Sequence, residues 1–209
     1  ADTTTMVATS TAMATRRSAT EPLRQKNNSF RLSKADHEGV PYMAGMKSLE
    51  DAFIHELQDM LHAEQQLIKA LPKMAKKASN PQLKEAFEEH AKVSEHQADR
   101  LKKVFESLGR SSKTEKCEGI SGIIKEGETL MGKKNVEPEV LDAELIAAAQ
   151  KVEHYEIASY GTICEWAEQL GFDEAHDILG QTLAEEKETD RKLTQLAKQS
   201  VNVGAGVGV

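Results

Sequence analysis

The sequence predicts an all-α protein: a four-helix bundle made of two antiparallel hairpins joined by a long middle crossover with a short helix. Three observations predict it. Ala, Glu, Lys, Leu and Gln dominate the 209 residues, while aromatic residues make up only 4%. That composition favours helices and leaves little β-branched or aromatic material for a sheet. Apolar residues recur at helical spacing through four long stretches. Capping and stop residues then separate those stretches into two close pairs.

The first helix begins after Ser48, an N-cap followed three residues later by the acidic Asp51. It runs to about Ala78, with a kink expected at Pro72. Asn80-Pro81 opens the second helix as a cap with proline at the first helical position, and Gly109 stops it after Leu108. The third long helix starts near Pro138 and ends at Leu170-Gly171, and the fourth follows from about Asp173 to Gln199. Both of these turns are short, so each pair is an antiparallel hairpin. Residues 110–137 form the long connection, and its apolar run at Ile120, Ile123 and Ile124 marks the short helix. Two hairpins with one long crossover form a recurrent bundle topology.

The chain divides into three parts: an N-terminal extension at 1–46, the bundle at 47–199 and a glycine-rich C-terminal tail at 200–209. The extension is rich in Thr, Ala, Ser and Arg, and its apolar residues show no period. It reads as a flexible tail, a targeting segment, or an arm that docks on its own domain or on a neighbouring subunit.

Charge and cysteine content narrow the function. The net charge is −7, which argues against a nucleic-acid surface, since that needs clustered positive charge. No stretch approaches the length of apolar residues that spans a membrane. Two cysteines are too few for a disulfide framework, so a reducing cytoplasm is the expected compartment.

The halves repeat weakly at an offset of 92 residues: Leu61-His62-Ala63-Glu64 returns as Glu153-His154-Tyr155-Glu156, and Leu49, Ile54, Gln58 and Leu101 match Leu141, Ile146, Gln150 and Leu193. At about 100° per residue, Glu64 falls on the apolar face of the first helix with Leu57, Leu61, Ile68 and Leu71. His90, Ser94 and Gln97 fall on that of the second, Glu153 and Glu156 on that of the third, and Glu186 on that of the fourth. Asp190 and Glu185 lie toward opposite edges of the last stripe, and no Lys or Arg falls inside any of the four.

A single inward glutamate is usually a helix-edge residue reaching solvent, and a single inward histidine usually a hydrogen-bonded core group. Four carboxylates on four converging stripes are different. Each unpaired buried carboxylate costs several kcal/mol, and four together exceed the roughly 5–15 kcal/mol a domain has in total. Protons, water or a metal must compensate. Oxygen-rich donors with one imidazole suit iron or manganese. Glu64, His90, Glu153, Glu156 and Glu186 are the candidate ligands, with Asp190 as a further ligand or a partner to one.

The stretch from Asp142 to Thr162, centred on Gln150-Lys151-Val152-Glu153-His154-Tyr155-Glu156, resembles the signature of the YciE/YciF family of ferritin-like proteins. Ala63-Glu64-Gln65-Gln66-Leu67, Ala86-Phe87 with His90, and Thr182-Leu183-Ala184-Glu185-Glu186 are similar too. The resemblance covers about Met46 to Gln199. It implies a ferritin-like bundle, often dimeric, with a dinuclear metal site, in proteins linked to bacterial stress; rubrerythrin and manganese catalase are the related folds. One departure stands out. Family members carry a Glu-Glu-Thr run after the histidine and leucine; here it is Lys92-Val93-Ser94, so a carboxylate expected at position 93 is replaced by Val93.

Two functions are therefore expected. One is a mono- or dinuclear Fe or Mn protein acting on peroxide, oxygen or iron in stress defence. The other is a non-catalytic structural or assembly protein with a degenerate site. In either case a homodimer or larger homo-oligomer is expected, with residues 1–46 as a candidate contact.

Overall fold

The computed structural model describes residues 46–206. Sequence expectations for residues 1–45 and 207–209 lie outside that range. Among the described residues every regular element is helical: α1 (Leu49–Lys77), α2 (Pro81–Ser107), α3 (Glu118–Met131), α4 (Pro138–Leu170), α5 (Asp173–Leu196) and α6 (Asn202–Gly206), with a π-helical turn at Ala197–Val201.

The caps follow from local chemistry. The Ser48 hydroxyl accepts from the Asp51 amide at 3.0 Å, satisfying an otherwise unpaired donor of the first turn of α1, while Asp51 accepts from the Lys47 amide at 3.0 Å and fastens the entering chain. The Asn80 side chain accepts from the amides of Gln82 and Leu83. Gly171 closes α4 with φ 74°, a left-handed conformation that glycine adopts without a Cβ penalty. Pro72 is accommodated inside α1, which continues beyond it to Lys77.

Helix α1 packs on α2 and α4 on α5; α1 also meets α4, and α2 meets α5. Chain direction is fixed by one buried carboxylate. Asp142, in the first turns of α4, accepts from the Ser79 amide at 2.8 Å, the Ser79 hydroxyl at 2.6 Å and the Asn80 amide at 2.8 Å. The start of α4 therefore lies beside the turn between α1 and α2, and α1 and α4 run antiparallel. The crossover must return the chain along the length of the bundle to make that possible. Helix α3 does so, packing on both α1 and α4.

Helix α3 is longer than its apolar run suggests. Cys117 caps it, its thiol accepting from the Ile120 amide at 3.5 Å. Its outer half carries Lys125, Glu126 and Glu128, and pairs Glu126 with Lys151 and Glu128 with Lys73. Close approach to α4 depends on Gly119, where a Cβ would stand 2.8 Å from Cε2 of Tyr155. At the other end, helical structure continues past Gln199 to Gly206 instead of giving way to a tail at 200. Asn80 donates to the Ser200 hydroxyl at 2.9 Å and anchors that extension.

The core is a single cluster running from Phe53 and Leu57 on α1, through Phe87, Leu101 and Phe105 on α2, to Leu145, Tyr160 and Ile163 on α4 and Leu179 and Leu193 on α5. Polar groups interrupt it at the middle of the bundle.

Candidate metal centre

Glu64, Glu153, Glu156 and Glu186 each have 0% exposure, and His90 has 4%. Each helix of the bundle contributes. The spacing Glu153-x-x-Glu156 puts two carboxylates one turn apart on the inner face of α4. His90 Nδ1 is 3.4 Å from Glu153 Oε1, and its Nε2 is 3.9 Å from Glu186 Oε2. One ligand atom from each of His90, Glu153, Glu156 and Glu186 lies within 4.8 Å of all the others.

Few donors answer these acceptors. The Tyr160 hydroxyl donates to Glu64 Oε1 at 2.6 Å, and the Gln97 amide donates to Glu186 Oε1. The remaining oxygen of Glu64, that of Glu186, both oxygens of Glu153 and of Glu156, and Nε2 of His90 are buried without a partner. Buried polar atoms are nearly always hydrogen-bonded, so this concentration of exceptions is the site's main property.

Electrostatics agrees. Burial pushes the Glu64 carboxyl well above its usual range, reinforced by Glu186. Glu153 and Glu156 shift the same way, burial first and neighbouring carboxylates second. Glu186 is raised to about 7 by burial, against the lowering effect of Glu153 and Gln97 beside it. His90 is lowered to about 4 by burial, so it is neutral and supplies no compensating charge. Arg100 acts on Glu186 as a positive charge, but its guanidinium serves Glu185 through two bonds of 2.5 and 2.6 Å. A cluster of acceptors without a cation fits a divalent metal: the donors are oxygen-rich with one neutral imidazole, the set that suits iron or manganese.

Asp190 does not join. It accepts from Gln150 at 3.1 Å and lies 3.3 Å from Nε2 of the exposed His154, so it acts on the centre only as a nearby negative charge that raises Glu153. Sequence reasoning also missed the role of Gln97. It places the residue on the inner stripe, but only the packing of α2 on α5 shows that the amide is aimed at Glu186. Tyr160 is core, as its stripe position suggests, and it is also the partner of Glu64.

An open groove of about 280 Å³ lies between α2 and α5 and reaches His90; Ala86, Phe87 and Val93 line one wall, and Thr189, Leu193 and Leu196 the other. A second group, His55, Glu56 and Asp59, gathers half-buried on the N-terminal half of α1.

The family model described as "Domain of unknown function (DUF892)" matches residues 48–205. Protein YciF of Escherichia coli (strain K12) is 49% identical over 158 residues, 75% of this chain and 95% of that protein. The crystal structure of the E. coli stress protein YciF superposes with a TM-score of 0.72 and covers 75% of this chain and 99% of its own. YcfI of Rhodopseudomonas palustris, provisionally described as a structural protein, is 41% identical with a TM-score of 0.70, covering 74% of this chain and 98% of its own. A two-domain protein of Anabaena variabilis, with DJ-1/ThiJ/PfpI-like and ferritin-like domains, matches at 18% identity with a TM-score of 0.52, over 79% of this chain and 40% of its own. At that identity it bears on the fold alone, and the fold is ferritin-like.

Proposed function

The chain belongs to the DUF892 family of YciF-type ferritin-like proteins, and from that premise we propose that it is a non-haem iron or manganese protein of stress and oxidant defence. One observation carries the proposal: His90, Glu153, Glu156 and Glu186 converge in the bundle's interior with their acceptor atoms unpaired. The description of the E. coli relative as a stress protein supports the physiological part.

His90 and the open oxygens of Glu153, Glu156 and Glu186 would hold the ion, with the open oxygen of Glu64 nearby. A redox-active ion there supplies electron exchange with peroxide or dioxygen. The chain's own residues do the rest. Tyr160 fixes one oxygen of Glu64 and leaves the other open. In the metal-free chain burial raises Glu186 to about 7, and an ion bound there would keep its carboxylate deprotonated. The ligand side chains are buried in the bundle, while the groove against His90 gives small molecules an approach between α2 and α5.

Metal titration of the full chain, purified without chelator, tests this. Uptake of Fe(II) or Mn(II) that disappears in the Glu153→Gln/Glu156→Gln double variant supports the proposal; no uptake by the wild-type chain overturns it.

The second reading is a structural protein. It is favoured by the α2 departure, since Val93 and Ser94 bring no carboxylate to the interior, and by the description of the R. palustris relative. Under either reading a cytoplasmic homodimer or larger assembly is the proposed state, with residues 1–46 as the assembly element. Comparing oligomer size with and without that segment decides whether it contributes.

A further inference from the structure

The bundle's acceptors are not distributed evenly, and this points to how many ions it takes. A di-metal carboxylate bundle draws a Glu from each of two helices and a Glu-x-x-His from each of the other two, six side chains in all. In this chain α2 has Phe87, not a carboxylate, three residues before His90, and α5 has Thr189, not a histidine, three residues after Glu186. Glu153 on α4 makes good only one of those two losses.

The geometry divides the rest. His90, Glu153, Glu156 and Glu186 present ligand atoms within 4.8 Å of one another, close to the roughly 4.2 Å that opposite donors span around a single ion with bonds of about 2.1 Å. Glu64 lies outside that group, with one oxygen taken by Tyr160. On α2 the residues that follow His90 along the interior are Ser94 and Gln97, both 0% exposed. The Gln97 amide donates to Glu186 and, at 3.1 Å, to Glu185. Glu185 is in turn gripped by Arg100. The amide answers Glu186 Oε1 and leaves Oε2 as the open oxygen of that carboxylate. The Arg100–Glu185–Gln97–Glu186 chain keeps that donor in place.

We propose that the centre takes one divalent ion per chain, held by His90, Glu153, Glu156 and Glu186, and that the Gln97 amide, bonded to Glu186 Oε1, disfavours a second ion on that carboxylate. This rests on the metal reading above. Residue 97 then determines nuclearity: a carboxylate of the same shape there exchanges a donor for an acceptor beside Glu186.

Mn(II) titration with electron paramagnetic resonance on the full chain reads the count and the coupling together. The wild-type chain is expected to saturate at one Mn(II) per chain with the spectrum of an isolated ion. Gln97→Glu is expected to saturate at two, with the spectrum of a coupled pair. Two coupled ions in the wild-type chain overturn the one-ion inference and leave the metal reading standing. No bound Mn(II) or Fe(II) in the wild-type chain overturns both. If Gln97→Glu does not fold, the wild-type count still decides between one ion and two. If it folds and still binds one ion, the role of Gln97 is refuted.

Discussion

The Tyr160 hydroxyl donates to Glu64 Oε1 across the bundle at 2.6 Å, with both side chains fully buried, and so ties α4 to α1 at the level of the candidate centre. Replacing Tyr160 with Phe keeps the ring and removes the donor. It leaves an acceptor unsatisfied in the interior, which costs about 1–3 kcal/mol. The urea midpoint of the metal-free Tyr160→Phe variant should fall accordingly; an unchanged midpoint would mean that water or another donor reaches Glu64.

Asp142 joins the start of α4 to the turn between α1 and α2 through three hydrogen bonds. Asp142→Ala strands the amides of Ser79 and Asn80 and is expected to destabilise the chain by about 3 kcal/mol, since bonds to a charged acceptor are worth more than neutral ones. Hydrogen exchange should show the loss first at the α1–α2 turn. Uniform loss across the bundle would contradict a local anchoring role.

Two glycines of α3 make a matched pair. A Cβ at Gly119 would stand 2.8 Å from Tyr155, whereas one at Gly122 would meet nothing within 4 Å. Gly122→Ala should stabilise by up to about 1 kcal/mol through helix propensity. Gly119→Ala should lose that gain to overpacking and end about 1–3 kcal/mol less stable than Gly122→Ala. Thermal melts of the two variants compare them directly.

The metal-free chain should lose stability as pH rises. Glu186 moves from 4.5 when unfolded to about 7 when folded. The folded chain therefore holds the extra proton between those values. The contribution is full below pH 4.5 and lost as pH rises through about 7. His90 works in the opposite direction: lowered from 6.5 to about 4, it costs stability as pH falls through that window. Glu64, Glu153 and Glu156, all raised well above 4.5, outnumber it and carry the loss beyond neutral pH. With chelator present, the unfolding free energy from urea titration should be higher at pH 5 than at pH 8, by an amount on the order of a few kcal/mol. Added Mn(II) should reverse the trend, because its ligands must be deprotonated.

Much of this is legible in the sequence. Glu64, His90, Glu153, Glu156 and Glu186 stand out because a single-helix projection suffices to place them inward, and the bundle then brings the four faces together. Asp190 is read from the sequence as a ligand or a partner to one at the edge of its stripe; neighbours on α4 decide its orientation, and Gln150 and His154 bond it. Gln97 is visible as an inward polar residue, but its part depends on Glu186 lying opposite, which is tertiary information. The extent of α3 escapes for a similar reason. Its second half is charged and takes its support from α1 and α4 through Lys73 and Lys151, partners distant in sequence.

The central claim is that the unpaired acceptors at the middle of the bundle are a metal centre. Anomalous diffraction from crystals of the full chain, loaded with Mn(II) or Fe(II) and measured at the metal's absorption edge, tests it most directly. The account predicts a peak bounded by His90, Glu153, Glu156 and Glu186. Loaded crystals with no anomalous peak there, from protein that elemental analysis also finds free of metal, would contradict it.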